Sequence, residues 1–282
     1  MPKDNHLNPQ NSELGKKSVY EAEYNPEKLF PIPRKLNRER IGIGSTLPFY
    51  GFDLWNHYEV SWLNTKGKPI AALAEIIYGC ESLNIIESKS MKLYFNTFNN
   101  TKFDDVNAVA AVIKKDIESR VGNTSVSVQI TPISHLKSLH LFVQPDGICL
   151  DDLDIECSVY HHDADFLKTE EQFVEETLSS DLLKSNCLVT NQPDWGSIQI
   201  HYKGKKINSE GLLRYIVSFR NDNEFHEQCI EQIFMDILQH CRPEKLTVYG
   251  RFTRRGGLDI NPVRSTHPID LKTVSNIRLC RQ

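Results

Sequence analysis

The stretch "LYFNTFNNTKFDD" (residues 93–105) returns in altered form as "RYIVSFRNDNEFHE" (214–227). In each copy an aromatic-rich run ends at a Phe, a short polar turn follows, and an acidic Phe-containing start opens an amphipathic segment. After the first copy, Val106, Val109, Ala110, Ile113 and Ile117 fall on one helical face. Asp104 is placed to cap that helix and Gly122 to end it. The second copy runs into "NEFHEQCIEQIFMDILQHC" (223–241), where Phe225, Cys229, Ile230, Ile233, Phe234, Ile237 and Leu238 form the apolar face.

Working outward, "HYEVSWL" (57–63) precedes the first copy and "SIQIHYKG" (197–204) the second. Both alternate with the period of a half-buried strand. The turn "NTKGKP" (64–69) leads to a further strand at 70–79. The runs 92–98, 124–131, 212–220 and 245–253 are strand-like as well, and "EEQFVEETLSSDLLKS" (170–185) reads as helical. A strand–strand–helix–strand module is thus written twice, the kind of internal repeat that decides an architecture. The expected class is α+β: antiparallel sheets backed by helices on one face. Residues 1–50 read as an irregular arm, 51–135 as the first module, 136–190 as a connector and 191–282 as the second module.

Composition narrows the function classes. The 282 residues carry 33 basic and 37 acidic side chains, a net charge of −4, which supplies no global attraction to nucleic acid or an anionic membrane. No apolar run is long enough to span a bilayer, and the N-terminal stretch has no apolar core of a secretory signal, so a cytoplasmic location is expected. Seven cysteines at wide spacings, with no C-x-x-C, argue against a disulfide framework and a zinc knuckle. "GIGSTLPFYG" (42–51) fails as a dinucleotide loop, because Leu47 replaces the third Gly and Pro48 blocks a helix start.

Four stretches carry chemistry. In "KSNCLVTNQPDWG" (184–196), Cys187 stands on an expected surface loop seven positions before Asp194. A reachable thiol becomes a nucleophile when a partner takes its proton; a loop Cys beside a turn Asp with no joint role is the plain alternative. His226 and Glu227 open the second helix, suited to proton transfer and to reading a ring N–H, or simply to capping. Phe225 beside them could stack on a flat ligand or fill core. "ESKSMKLY" (87–94) offers Glu87, Lys89 and Lys92, and "RFTRRGGLDINP" (251–262) offers Arg251, Arg254 and Arg255 beside Gly256 and Gly257, a set suited to anions or to a solvated edge.

Taken together and in order, "ESKSMKLY", "SNCLVTNQPDWGS", "NEFHEQC" and "YGRFTRRGGLDINP" resemble the NADPH-dependent 7-cyano-7-deazaguanine reductases, the nitrile reductases of queuosine biosynthesis, in their long two-module form. The resemblance runs from about Leu36 onward. It implies tandem tunnelling-fold modules related to GTP cyclohydrolase I, a homodimer, and NADPH bound without a Rossmann domain, two per turnover. It implies Cys187 as nucleophile, Asp194 as its proton-handling partner and His226 as a helper. Ile86, Glu87, Ser88, Phe225, His226 and Glu227 are then substrate contacts, and Ser88, Lys89, Arg255 and Gly256 cofactor contacts, with no metal. The implied chemistry is addition of the thiolate to the nitrile carbon, giving a covalent thioimide that is reduced through an imine to the primary amine. A tunnelling-fold hydrolase acting on purines or pterins, and a non-catalytic binding module, are the rival readings.

Overall fold

A computed structural model describes residues 23–122, 124–133, 146–270, 274, 276, 278, 279 and 282. The remainder of the expected arm and connector lies outside the described residues. Two compact units result. Of the described residues, those within 1–38, 54–139 and 254–259 form the first, and those within 39–53, 140–253 and 260–282 the second.

In the first unit, β2 (Tyr50–Leu63) and β3 (Pro69–Gly79) are joined by a turn closed by Asn64 N–H donating to Lys68 O at 2.9 Å. β5 (Val126–Pro132) pairs antiparallel with β3, from Ala72 opposite Pro132 to Tyr78 opposite Val126. A short ribbon pairs β1 (Pro31–Pro33) with β4 (Asn84–Ile86). Two helices follow: α2 (Ser88–Asn96) and α3 (Val106–Val121). The α3 face of Val109, Ile113, Ile117 and Val121 is wholly buried, each such side chain contributing about 1.5–3 kcal/mol through removal from water.

The second unit repeats this plan at greater length. β7 (Thr169–Asn186) and β8 (Pro193–Ile207) form a long antiparallel hairpin, β9 (Lys245–Phe252) pairs with β8, and β10 (Leu258–Ser265) with β9. β6 (Ile148–Cys149) joins β7 in parallel, a departure from the all-antiparallel expectation. α4 (Ser209–Ser218) and α5 (His226–Cys241) follow the hairpin as α2 and α3 follow theirs. Arg264, wholly buried, reaches Asp53 and Glu231, both at 2.9 Å, and so ties β10 to the middle of α5. Losing one member of such a buried set costs about 3–5 kcal/mol, because a charge is left unpaired.

The repeat extends to individual hydrogen bonds. Tyr94 on α2 donates to Asp116 on α3 at 2.6 Å, and Tyr215 on α4 donates to Asp236 on α5 at 2.6 Å. Each aspartate takes one further partner from a segment well upstream: Tyr24 at 2.6 Å in the first unit, His162 at 2.7 Å in the second. Each of those residues precedes a single 3-10 turn, Pro26–Lys28 or Ala164–Phe166, capped by Asn25 or Asp163. Phe98 and Phe219 pack edge-on against the two trios. The expected irregular arm and the connector thus contain equivalent elements, along with α1 (Lys35–Arg40) and β1 in the arm.

Three expected elements differ. Residues 92–98 and 212–220 fall largely in helices, α2 and α4, instead of strands. Met91, Tyr94, Phe95 and Phe98 are buried, as are Leu212, Ile216 and Phe219, at helical spacing. Aromatic and β-branched content had pointed to strand, and packing of one helical face overrode it. Residues 170–185, rich in helix formers, are strand: continuous pairing with β8 outweighs their local preference. The α3 cap is Asp105, whose Oδ1 accepts from Ala108 N–H at 2.8 Å, and not Asp104.

Candidate active site

The β7–β8 hairpin delivers Cys187 and Asp194. Ser185 faces Asp194 and Asn186 faces Pro193 in the ladder, and Cys187 N–H donates to Gln192 O at 2.8 Å, which carries the pairing one step further. Cys187 and Asp194 are therefore diagonal neighbours on one face, about 7–8 Å apart at the backbone in ordinary ladders. The turn is closed by Asn191 N–H donating to Cys187 O at 3.0 Å, with Asn191 in the left-handed region (φ 54°) that Asn tolerates. Both side chains are nearly buried, Cys187 at 4% and Asp194 at 6% exposure. The thiol is thus recessed at the hairpin's end and not on an open surface loop, and Asp194 lies on β8 itself.

The start of α5 is drawn to the same place. Asn186 N–H donates to Asp222 O at 2.8 Å and Glu224 N–H to Asn186 O at 3.0 Å, so the residue before Cys187 is clamped to the residues before α5. The side-chain amide of Asn223 adds a hydrogen bond to Asn191. Two residues on, His226 Nε2 lies 3.4 Å from Asp194 Oδ2. Its ring is stacked face to face on Phe252, with centroids 4.0 Å apart and planes 5° apart. Phe225 occupies the cap position of α5 without a capping side chain, and Glu227 is buried in the first turn at 2% exposure. Cys229, one turn further, is fully buried, and burial pushes its thiol well above the usual range. A recessed thiol, a carboxylate on its face and an imidazole touching that carboxylate are suited to covalent addition with proton transfer.

The first unit gathers the other expected residues. Glu87 is buried and caps α2, its two carboxylate oxygens accepting from Lys89 N–H at 2.7 Å and Ser90 N–H at 2.8 Å. Burial raises its pKa, opposed by those two donors and by Lys92 and Lys89. Ile86 is buried at the end of β4 and Ser88 is the first residue of α2. "ESKSMKLY" is therefore a helix start, not a strand edge. Arg255 and Leu258 close a two-residue turn in which Gly256 (φ 61°) and Gly257 (φ 77°) both have positive φ, the pattern of a type I′ hairpin. A side chain at Gly256 would sit 2.8 Å from the Lys92 stem, so the turn is seated against α2. Lys89, Lys92 and Arg255 then offer cationic donors around a closely approaching backbone, which fits a phosphate-bearing cofactor.

The arginines of "RFTRRGG" separate. Arg251 is buried and committed to Gln282 at 2.7 Å and to the Tyr249 hydroxyl at 2.5 Å, so it is a structural residue and not an anion contact. Arg254 lies over the Tyr58 ring at 4.5 Å. Phe252, the support of His226, was not singled out by sequence. Its signal was the register that sets it opposite Gly196, which becomes visible only once β8 and β9 are paired.

Residues 20–130 match a family described as nitrile reductase, 7-cyano-7-deazaguanine-reductase N-term, and residues 193–270 match one described as QueF-like protein. The chain is 62% identical over 272 residues to an NADPH-dependent 7-cyano-7-deazaguanine reductase of Legionella pneumophila (strain Lens), covering 96% of this chain and 95% of that one. It is 55% identical over 273 residues to a protein of the same name from Coxiella burnetii (strain CbuK_Q154), covering 96% of each. For the one from Polaromonas sp. the identity is 53% over 277 residues, covering 97% of this chain and 99% of that one. A crystal structure of an apo archaeosine synthase QueF-Like aligns with a TM-score of 0.30 and 14% identity, over 36% of this chain and 100% of that one.

Proposed function

The chain belongs to the NADPH-dependent 7-cyano-7-deazaguanine reductase family, and from that premise we propose that the hairpin end of the second unit performs the covalent step of nitrile reduction. The reaction is reduction of the nitrile of 7-cyano-7-deazaguanine to the aminomethyl group with NADPH, a step of queuosine biosynthesis. Cys187 adds through Sγ to the nitrile carbon and forms the carbon–sulfur bond of a thioimide. The thiol proton given up by Cys187 passes to Asp194, which delivers a proton to the nitrile nitrogen. His226, 3.4 Å from that carboxylate, orients it and replenishes its proton. Glu227 and the Phe225 ring hold the deazaguanine, and the family resemblance assigns Ile86, Glu87 and Ser88 to the substrate as well. NADPH supplies hydride to the enclosed carbon when bound, once for the thioimide and once for the imine released from Cys187. Ser88, Lys89, Arg255 and Gly256 would hold its phosphates, joined by Lys92, against which Gly256 is seated. The near burial of Cys187 serves this chemistry, because an imine open to water would hydrolyse.

The observation that carries the reading is the shared face of Cys187 and Asp194, with His226 in contact with the carboxylate. Mixing protein with the nitrile alone should produce a near-UV absorbance from the thioimide, and adding NADPH should discharge it with two equivalents oxidised per amine. Amine formation with no such absorbance would remove the covalent step. We further take the protein to act in the cytoplasm as a homodimer, on the strength of the family resemblance; analytical ultracentrifugation returning a monomer mass at working concentration would exclude the dimer.

A further inference from the structure

The ring beneath His226 is held with unusual completeness. Phe252 is the last residue of β9, is wholly buried, and pairs in register with Gly196 of β8. A Cβ at Gly196 would lie 3.2 Å from Cδ1 and Cε1 of that ring, whereas one at Gly250 would meet Ile230 first, at 2.4 Å, and Cε2 of the ring at 3.3 Å. The Phe252 carbonyl accepts from Gln282 Nε2 at 3.2 Å, which fixes its backbone as well. The ring therefore occupies a slot beside Gly196, and His226 lies flat on it. His226 has one polar side-chain contact, Asp194, while its Nδ1 is buried with no hydrogen-bond partner among the described residues. One contact at 3.4 Å cannot fix the plane of an imidazole. The aromatic face can, since a parallel contact at 4.0 Å permits sliding but resists tilting.

We propose that Phe252 is a positioning residue of the reaction: it sets the plane of the His226 ring so that Nε2 meets the Asp194 carboxylate, and Gly196 is a glycine to leave room for it. The inference rests on the proposed role of His226 in proton transfer. Phe252→Leu keeps an apolar side chain but loses the flat face; Phe252→Tyr keeps the face.

The test is the rate of thioimide formation from the nitrile without NADPH, measured in a double-mutant cycle with His226→Ala. Phe252→Leu should slow adduct formation about tenfold, the scale of a modest misalignment of reacting groups, and Phe252→Tyr should stay within about twofold. In the His226→Ala background, Phe252→Leu should change the rate less than about twofold, because its effect is exerted through the imidazole. Gly196→Ala, which presses on the ring without removing it, should slow the step in the same His226-dependent way, and it serves should Phe252→Leu fail to fold. An equal slowing with and without His226 would make the ring merely structural and overturn the inference, as would unchanged rates for both variants. If His226→Ala itself leaves adduct formation unchanged, the assigned role of His226 falls first and the inference with it.

Discussion

Helices α3 and α5 have the same length and the same place in their modules, yet their first turns are built to opposite ends. α3 begins at a capped and exposed start: Asp105 satisfies Ala108 N–H, and Asp104 and Asp105 both face solvent. α5 begins with Phe225, which offers no capping side chain, then a half-buried imidazole and a buried carboxylate. One tie that holds each helix in its module is shared: the tyrosine–aspartate bond, the ring beside it and an upstream third partner. The duplication preserves the scaffold and varies the edge. Where capping is given up and titratable groups are taken into the interior, local stability has been exchanged for chemistry.

The comparison is broken most decisively at the hairpin. Cys187→Ala should leave no detectable amine product and no thioimide absorbance, with the fold intact by circular dichroism. Residual nitrile reduction in that variant would mean that the second module is not the chemical one. Next come the paired aspartates. Asp116→Ala and Asp236→Ala each strand buried hydrogen-bond partners and should lower unfolding free energy by about 2–3 kcal/mol in urea titrations. A large loss for one and none for the other would show that the two ties are not equivalent. Asp105→Ala should cost about 1 kcal/mol of stability by removing a cap, and leave turnover unchanged. Slowed turnover there would place chemistry in the first module too.

The smallest effect separates the third partners, Tyr24 and His162. The hydrogen bond to Asp236 raises the pKa of His162 above its ordinary 6.5, with burial opposing. A raised imidazole pKa adds stability that is fully present below 6.5 and fades as pH rises through the folded value. His162→Tyr, which copies the first module, should therefore flatten the decline in melting temperature as pH rises above 6.5, a shift of about a degree or two. An identical decline in wild type and variant would assign it to other groups.

The repeat was legible in sequence because its boundaries are marked by the same Phe–turn–acid pattern, and α3, α5, β2 and β8 follow from plain periodicity. The helices α2 and α4 were not legible. Their windows are short and aromatic, and a nine- or ten-residue run holds too few turns to separate helical from strand spacing. β7 was hidden by glutamates and leucines whose helical preference is overruled by a partner strand. The site's named residues stood in motifs and could be found individually. Their relation could not: the approach of His226 to Asp194 depends on a clamp between Asn186 and residues 222–224, thirty-six positions apart at their closest. Tyr24 and His162 were invisible for the same reason, since nothing local marks a residue whose partner is a distant aspartate.

The division of the chain carries one more consequence. Residues 39–53 belong to the second unit although they precede the bulk of the first, and residues 254–259 belong to the first although they follow nearly all of the second. Each of two strands, β2 and β10, passes from one unit to the other partway along its length. No single scission of the polypeptide can release either half whole, so the ancestral copy can no longer be recovered by truncation.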